Sequence, residues 1–300
     1  MTLALCHGRV NHLARRNYRV PMDHSSGIVD SHVHLLPGRL GEKVRGIFEA
    51  GQARFGPLAY PPDHSEVVAR LATEGVDEIW TFPYAHKPGV AEGLNESCAG
   101  TVAQFAGAPL TVTGGATVHP GDDDAVGVVR RAVDELGLRV LKLHCSVGDF
   151  TIDDPRLGPV LAFCQGRQLP VVVHLGHSPN GRTEDVELPS IARAAEAHPD
   201  LPLILAHCGH HSAPEAGRLL DHHPMLHMDL TPVVDEHPNI EREVLVAHSD
   251  RILFGSDAPN TTLSVTECLA WLGGFGLTTD AHRAVTGGNA RRLRSAVITA

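Results

Sequence analysis

The sequence predicts an α/β fold, a distorted (β/α)8 TIM barrel. Short apolar runs rich in β-branched residues recur eight times, and helix-like segments separate them. No break in composition interrupts this alternation, so residues 27–300 are expected to form a single barrel domain. A doubly wound open sheet is the structural alternative. It is disfavoured because no glycine-rich phosphate turn follows the first strand and because the alternation reaches eight.

Each predicted strand is a short and largely apolar run, as expected for parallel strands that are buried on both faces. The predicted strands lie at 27–36, 76–85, 109–120, 139–146, 169–177, 201–209, 225–232 and 251–259.

Helical spacing of valines is clearest between strands three and four, over residues 122–137. Asp122 or Asp123 suits the start of this helix and Gly137 its end. A second helix is predicted over 188–197, and the run "GGNARRL" is expected to begin a terminal helix that packs on the barrel.

Composition excludes some functions. The formal net charge is −10 without a long run of one sign, which disfavours nucleic-acid binding. No stretch is long and apolar enough to cross a membrane. The six scattered cysteines suggest reduced thiols and a cytoplasmic protein. Residues 1–26 precede the first strand and are interpreted as an N-terminal appendage without a signal peptide.

Polar side chains collect at the predicted carboxyl ends of the strands, where the active sites of such barrels lie. In chain order these are His32 and His34, Tyr84 and His86, His119, Lys142 and His144, His174, His207, Asp229, and Asp257.

The pair His32-x-His34 could reach one ion from a single face of strand one. Alone it is weak evidence in a chain with 21 histidines. His174 and Asp257 lie at two other strand ends. A mononuclear metal site of three histidines and one aspartate is therefore a better hypothesis than histidines that merely bond loop backbone.

The motifs "VDSHVHLLPG", "VLKLHCSVGDFTIDDPRLGPV", "PVVVHLGH", "LILAHCG", "ILFGSDAP" and "GGNARRL" together resemble the amidohydrolase superfamily. Within it they resemble the amidohydrolase-related branch, which also contains aminocarboxymuconate-semialdehyde decarboxylase. The resemblance runs from about Gly27 to Leu293. It implies a barrel of the metal-dependent hydrolase type, in which His32, His34, His174 and Asp257 bind the metal. His207 would act on the substrate or help to bind a second metal.

Lys142 has three interpretations. In binuclear members of the resembled superfamily, a lysine at the end of strand four is carbamylated and bridges two ions. In many members of the branch a "KLH" run accompanies one metal, and the lysine then holds a substrate carboxylate as an ammonium. We favour this second interpretation. An ion pair with Asp257 or Asp149 is the structural alternative.

These residues support metal-dependent hydrolysis of an amide, lactone or ester of a small molecule. A bound divalent ion lowers the pKa of its water from near 16 to about 7. Asp257 would accept the proton of this water, and His207 and Lys142 would stabilise the developing oxyanion. Non-oxidative decarboxylation of a small carboxylic acid is the alternative reaction, and a barrel that only binds ligands is a less favoured one.

Other residues are expected to line the pocket. Substrate contacts are predicted for His144, His177, Tyr84 and His86, and the arginines of the rim loops are Arg39, Arg45, Arg54 and Arg182. We expect one divalent ion, zinc by default with manganese, iron or cobalt open. A second ion on carbamylated Lys142 is less favoured. The resemblance also makes a homodimer a reasonable expectation.

Overall fold

The computed structural model of the chain describes residues 27–176 and 184–299. All eight predicted strands are present and parallel, and each one pairs with the next in sequence. The (β/α)8 barrel is therefore confirmed. The strands are β1 Ile28–Val33, β2 Val76–Thr81, β3 Thr111–Thr117, β4 Val140–Leu143, β5 Val171–Val173, β6 Leu203–Leu205, β7 Leu226–Asp229 and β8 Ile252–Leu253.

The barrel closes between its first strand and the chain that follows its last. Ser31 N donates to Phe254 O at 2.9 Å, and His34 N donates to Ala258 O at 2.8 Å. Asp257 N donates to His32 O at 2.9 Å. Because β8 has only two residues, these bonds rather than a long strand complete the cylinder, which accounts for its distortion.

Helices surround the strands and cover their apolar outer faces. They are α1 Gly38–Phe55, α2 His64–Thr73, α3 Ala91–Gln104, α4 Ala125–Asp134, α5 Cys145–Gly148, α6 Gly158–Arg167, α7 Glu184–Ala197, α8 Ala213–His222, α9 Arg242–Ala247, α10 Val265–Gly273, α11 Thr279–Arg283 and α12 Asn289–Ser295.

The helix predicted over 122–137 is shorter than expected. It is capped by Asp124, whose carboxylate accepts from Gly127 N at 2.9 Å. The prediction of Asp122 or Asp123 as its cap is wrong. Asp122 instead accepts hydrogen bonds from Gly89 N of a neighbouring loop and from His119 N of its own loop. The helix ends at Asp134, and Gly137 adopts a left-handed φ of 72° in the turn that follows.

The long segment after β1 differs from the expected rim loop. Residues 35–62 contain the 18-residue helix α1, none of whose residues is buried. The segment lacks the buried apolar stripe that reveals a core helix in a sequence.

Apolar side chains fill both the inside of the barrel and the layer between strands and helices. Val29 belongs to the inner cluster, together with Trp80, Val140 and Val172. Val33, four residues further along β1, belongs to the outer cluster. Pairing with β2 shifts between Asp30 and Val33, and this irregularity exchanges the two faces of the strand. His32 and His34 consequently point into the barrel.

Helix α12 closes the barrel at the N-terminal ends of the strands. Arg294 Nε lies 2.8 Å from Glu78 Oε1, which also accepts from Trp80 and Thr113. Nearby, Arg291 donates to Gly27 O at 3.0 Å, and Ile298 N donates to Arg167 O at 2.8 Å. Both ends of the described barrel therefore lie at this face.

Some sequence predictions concern other features of the chain. The five cysteines within the described residues are buried, and no disulfide joins them, as expected. No helix in that part of the chain is long and apolar enough to span a membrane. The proposed appendage, residues 1–26, lies outside the described residues.

Candidate metal centre

His32 is held in one tautomer. Its ring is fully buried, and its Nδ1 lies 2.9 Å from Asp229 Oδ2. Burial, reinforced by the charge of Lys142, lowers the pKa of His32 to about 3, so the ring is neutral. A neutral ring that donates from Nδ1 has a lone pair on Nε2. This Nε2 faces the barrel interior, where Lys142 Nζ lies 3.1 Å from it.

Asp229, at the end of β7, fixes more than one group. Burial opposes ionisation of its carboxyl, but His32 and His207 and a hydrogen bond from Thr231 hold its pKa below the usual range. Its Oδ1 accepts from the backbone N of His207 at 2.8 Å and of Thr231 at 3.2 Å. One carboxylate thus orients a ring on β1 and the turn after β6.

His34 is fixed in the same tautomer by a different partner. Its Nδ1 lies 3.1 Å from Phe82 O. Because a carbonyl oxygen can only accept a hydrogen bond, Nδ1 carries the proton that is donated. In the neutral ring, the lone pair is on Nε2, which is 3.3 Å from Asp257 Oδ1.

Asp257 lies close to the Nε2 atoms of both histidines. Its Oδ1 is also 3.8 Å from His32 Nε2. Burial opposes its ionisation, yet interactions with His34, His32 and His207 lower its pKa. Its backbone has a φ of 63°, a strained left-handed value for a residue with a side chain. The hydrogen bonds to β1 described above hold it there.

These three residues fit a divalent metal ion. Donor atoms of His32, His34 and Asp257 all lie within 4.8 Å of one another. Two ligands of a tetrahedral zinc ion with bonds of about 2.1 Å lie about 3.4 Å apart. Asp257 Oδ1 lies at similar distances from the two histidines, 3.3 Å from His34 Nε2 and 3.8 Å from His32 Nε2. Two imidazole nitrogens and a carboxylate oxygen are donors that a zinc-like divalent ion prefers.

His174 lies beside this group and not within it. Its Nδ1 is 3.2 Å from Nε2 of His207, whose own Nδ1 lies 3.2 Å from Thr231 O. Burial lowers the pKa of His207, so His207 is neutral and donates from Nδ1. Its Nε2 then accepts from His174, which leaves the lone pair of His174 on Nε2. His174 thus keeps a ring nitrogen suited to a metal.

Lys142 is completely buried. Its Nζ is 3.1 Å from His32 Nε2 and 5.1 Å from the centre of the Phe82 ring. Burial lowers the pKa of Lys142 to about 8, although Asp229 and Asp257 favour its charge. Most of the lysine is therefore an ammonium at neutral pH, beside the candidate metal ligands.

The predicted pocket residues are only partly brought together. The ring of His144 stacks on that of His174 at 3.8 Å, and Tyr84 packs between His144 and His34. His86 is exposed and lies outside this cluster. His119 uses both ring nitrogens for loop backbone, to Gly148 O and Gly121 N, and has a structural role. His177 and Arg182 lie outside the described residues.

The turn Ala206–Ser212 carries His207 in a costly backbone conformation. His207, Cys208, Gly209 and His210 all have positive φ, between 48° and 81°. Each such residue with a side chain costs about 1 kcal/mol or more. The bond from His207 N to Asp229 and a contact from the Cys208 thiol to Asp229 O at 3.1 Å hold the turn.

The comparisons agree with this geometry. The model of the amidohydrolase family matches residues 29–293. The chain belongs to the amidohydrolase family. This membership confirms the resemblance noted in the sequence. No curated protein matches the chain.

Solved structures of the same fold cover most of this family member. An uncharacterized TIM-barrel protein from Bordetella bronchiseptica has a TM-score of 0.72 and 20% identity, covering 90% of this chain and 98% of its own. A manganese-bound 5-carboxyvanillate decarboxylase variant from Novosphingobium aromaticivorans has a TM-score of 0.66 and 12% identity, covering 91% and 98%. A dihydroorotase from Campylobacter jejuni has a TM-score of 0.57 and 13% identity, covering 90% and 83%.

A cavity of about 600 Å³ opens beside His34 in this amidohydrolase. Arg45 lines it and donates to Tyr60 O and Pro259 O, so this rim arginine is at the site. Asn260 also lines it, and its buried Oδ1 has no hydrogen-bond partner among the described residues. Asn260 and the orienting role of Asp229 were missed in the sequence. The position of Asp229 at a strand end was the only available signal.

Proposed function

We propose that this chain is a metal-dependent hydrolase that cleaves an amide, lactone or ester bond of a small molecule. The observation that carries the proposal is the meeting of two histidine ring nitrogens with the ionised carboxylate of Asp257 at the carboxyl ends of the strands. His32, His34 and Asp257 would hold the ion, with His174 as a fourth ligand from β5.

The ion would supply Lewis acidity, which activates water and polarises a carbonyl group. Asp257 is ionised and would accept the proton of the attacking water, then pass it to the leaving amine or alkoxide. Lys142 would place its ammonium near the oxygen that becomes negative.

His207 is fixed by its backbone and Nδ1, and it presents Nε2 to the interior. In the tautomer that the structure favours, this nitrogen accepts rather than donates. Its contribution would therefore be to orient His174, which donates to this nitrogen.

Zinc suits three imidazoles and a carboxylate, and manganese is the metal bound by the decarboxylase of similar fold. We propose one ion, with Lys142 unmodified. A homodimer and a cytoplasmic location belong to the same proposal, and they rest on the sequence alone.

Decarboxylation of a small carboxylic acid is a second candidate. One observation favours it: the buried ammonium of Lys142 lies beside the candidate ligands, where it could hold a carboxylate. A protein of the same fold is a 5-carboxyvanillate decarboxylase.

A substrate screen separates the two reactions. Lactones, esters and amides would be tested beside carboxylated aromatics, with carbon dioxide measured among the products. We expect hydrolysis that is lost in Asp257→Asn and retained in Asp235→Asn, a matched change at an exposed acid. Carbon dioxide release that depends on Asp257 would instead establish the decarboxylase.

The metal is tested without any substrate. Protein purified without added ions should contain at least one equivalent of metal, and His32→Ala should lose one equivalent. Intact mass would show whether Lys142 carries an added carbon dioxide. No metal in the wild type would contradict the proposal, and a modified Lys142 with two ions would contradict its mononuclear form.

A further inference from the structure

We propose a second divalent-cation site at the rim of the barrel, formed by His210, His211 and Glu236. Donor atoms of these three residues lie within 4.8 Å of one another, and none of them belongs to the centre described above. The site would take a zinc-like transition-metal ion.

The measured separations suit a shared ion. His210 Nε2 is 3.7 Å from Glu236 Oε2, near the value of about 3.4 Å expected for two ligands of one tetrahedral ion. The ring centroids of His210 and His211 are 3.8 Å apart, with an angle of 52° between their planes. Two imidazoles and a carboxylate are thus gathered within one coordination sphere.

Adjacent histidines do not normally converge in this way. Neighbouring side chains point to opposite faces of a strand and diverge by about 100° around a helix. Here His210 has a φ of 48° and a ψ of −113°, outside both regular conformations. This strained backbone at the end of the turn Ala206–Ser212 brings the two rings together.

The carboxylate comes from a separate, fixed loop. Val233 N donates to Glu236 O at 2.9 Å, and Glu236 N donates to Val233 O at 3.0 Å, which closes a tight hairpin after β7. Val234 O of this hairpin also accepts from Thr262 N at 3.0 Å. The position of Glu236 is therefore set by its backbone, and its side chain is 62% exposed.

The chemistry of the donors selects the ion. Imidazole nitrogens favour zinc, cobalt, nickel or copper, whereas magnesium and calcium prefer oxygen ligands alone. Because His211 and Glu236 are exposed, water can complete the coordination. A bound ion would tie the hairpin 233–236 to the turn that carries His207.

The test counts ions rather than turnover. The full chain would be stripped of metal and titrated with zinc alone, in the wild type and in His211→Ala, Glu236→Gln and His32→Ala. We expect two classes of site in the wild type. His211→Ala and Glu236→Gln should each weaken one class by about 100-fold or more, because they remove a direct ligand. His32→Ala should leave that class unchanged.

The control is His222→Ala, from the pair His222–His223, which belongs to no three-donor group within the described residues. It should retain both classes. The proposal is overturned by a wild type with only one class, or by His211→Ala and Glu236→Gln variants that keep both classes at wild-type affinity. Melting temperatures measured without metal would show that the exposed substitutions leave the fold intact.

Discussion

At the scale of single residues, hydrogen bonds decide which nitrogen of each histidine can meet a metal. Asp229 and Phe82 O occupy Nδ1 of His32 and His34, so both rings present Nε2. A partner of this kind also fixes the orientation of the ring. The proposed metal centre therefore depends on a carboxylate that need not touch the ion.

Asp229→Asn tests this dependence. Backbone donors hold the amide oxygen where Oδ1 is now, so the amide N–H would point at His32 Nδ1. His32 would then carry its proton on Nε2 and lose its free lone pair. We expect metal affinity to fall by about 100-fold or more, measured by titration in a metal buffer.

Asp280→Asn, at a fully exposed acid, is the matched control and should bind metal like the wild type. Wild-type affinity in Asp229→Asn would show that the tautomer of His32 does not govern binding.

The sequence predicts which residues reach the site better than it predicts what they contact. His32, His34 and Asp257 could be named because each lies at a strand end. The partner of His32 could not, since Asp229 is 197 residues away and is met only across the barrel. His86 is exposed, because proximity to a strand end does not decide whether a loop residue is buried at the site.

At the scale of elements, the turn after β6 and the helix after β1 depart most from regular patterns. Eight strands were predictable because continuous apolar runs mark buried parallel strands. The helix α1 was not, because it buries no residue. The cap of α4 was assigned to Asp122 or Asp123, one or two residues too early, because consecutive aspartates are equally suitable caps in a sequence.

Gly209→Ala tests the strain in the turn Ala206–Ser212. A Cβ there would lie 2.8 Å from that of Ala216, at a residue with a φ of 81°. We expect the free energy of unfolding to fall by about 1–3 kcal/mol, measured by urea denaturation.

Gly273→Ala, at the end of α10, provides the comparison because its Cβ would meet nothing within 4 Å. It should be neutral or slightly stabilising. An equal effect of both substitutions would mean that the turn is not under steric constraint.

At the scale of the whole molecule, the two ends of the barrel differ in what they contribute. The candidate ligands lie at the carboxyl ends of the strands, and the ion pair of Arg294 with Glu78 closes the amino ends. Substitutions at the closed face should change stability without changing chemistry.

Arg294→Met tests this separation. It leaves the buried carboxylate of Glu78 without its cation, and we expect a loss of about 2 kcal/mol in unfolding free energy. Metal affinity should be unchanged. Arg218→Met removes an exposed pair with Glu215 and should cost less than about 0.5 kcal/mol. Loss of metal binding in folded Arg294→Met would show that the faces are coupled.

Stability should also depend on pH through His227. Burial, with the charges of Arg292 and Arg251, lowers its pKa from 6.5 to about 4. As the pH falls, His227 takes up its proton in the unfolded chain before it does so in the folded chain. The stability that comes from a neutral His227 is therefore fully present above pH 6.5 and is lost as the pH falls towards 4. At pH 5 the loss should reach about 2 kcal/mol.

Denaturation at pH 7.5 and at pH 5 measures this loss. The wild type and the exposed variant His222→Asn should show this loss in full. In His227→Asn the loss should be smaller by about 2 kcal/mol, and the remainder comes from His32 and His207, whose pKa values are also lowered. The same pH dependence in His227→Asn would assign the effect to other groups.

The path of the chain has a practical consequence for handling this protein. Gly27 and Ile298 are both fastened at the face that Arg294 closes, on the opposite side from the cavity beside His34. A protein immobilised through an attachment next to either residue would present its cavity to the passing solution. Substrate screening on a solid support is therefore compatible with the geometry of the barrel.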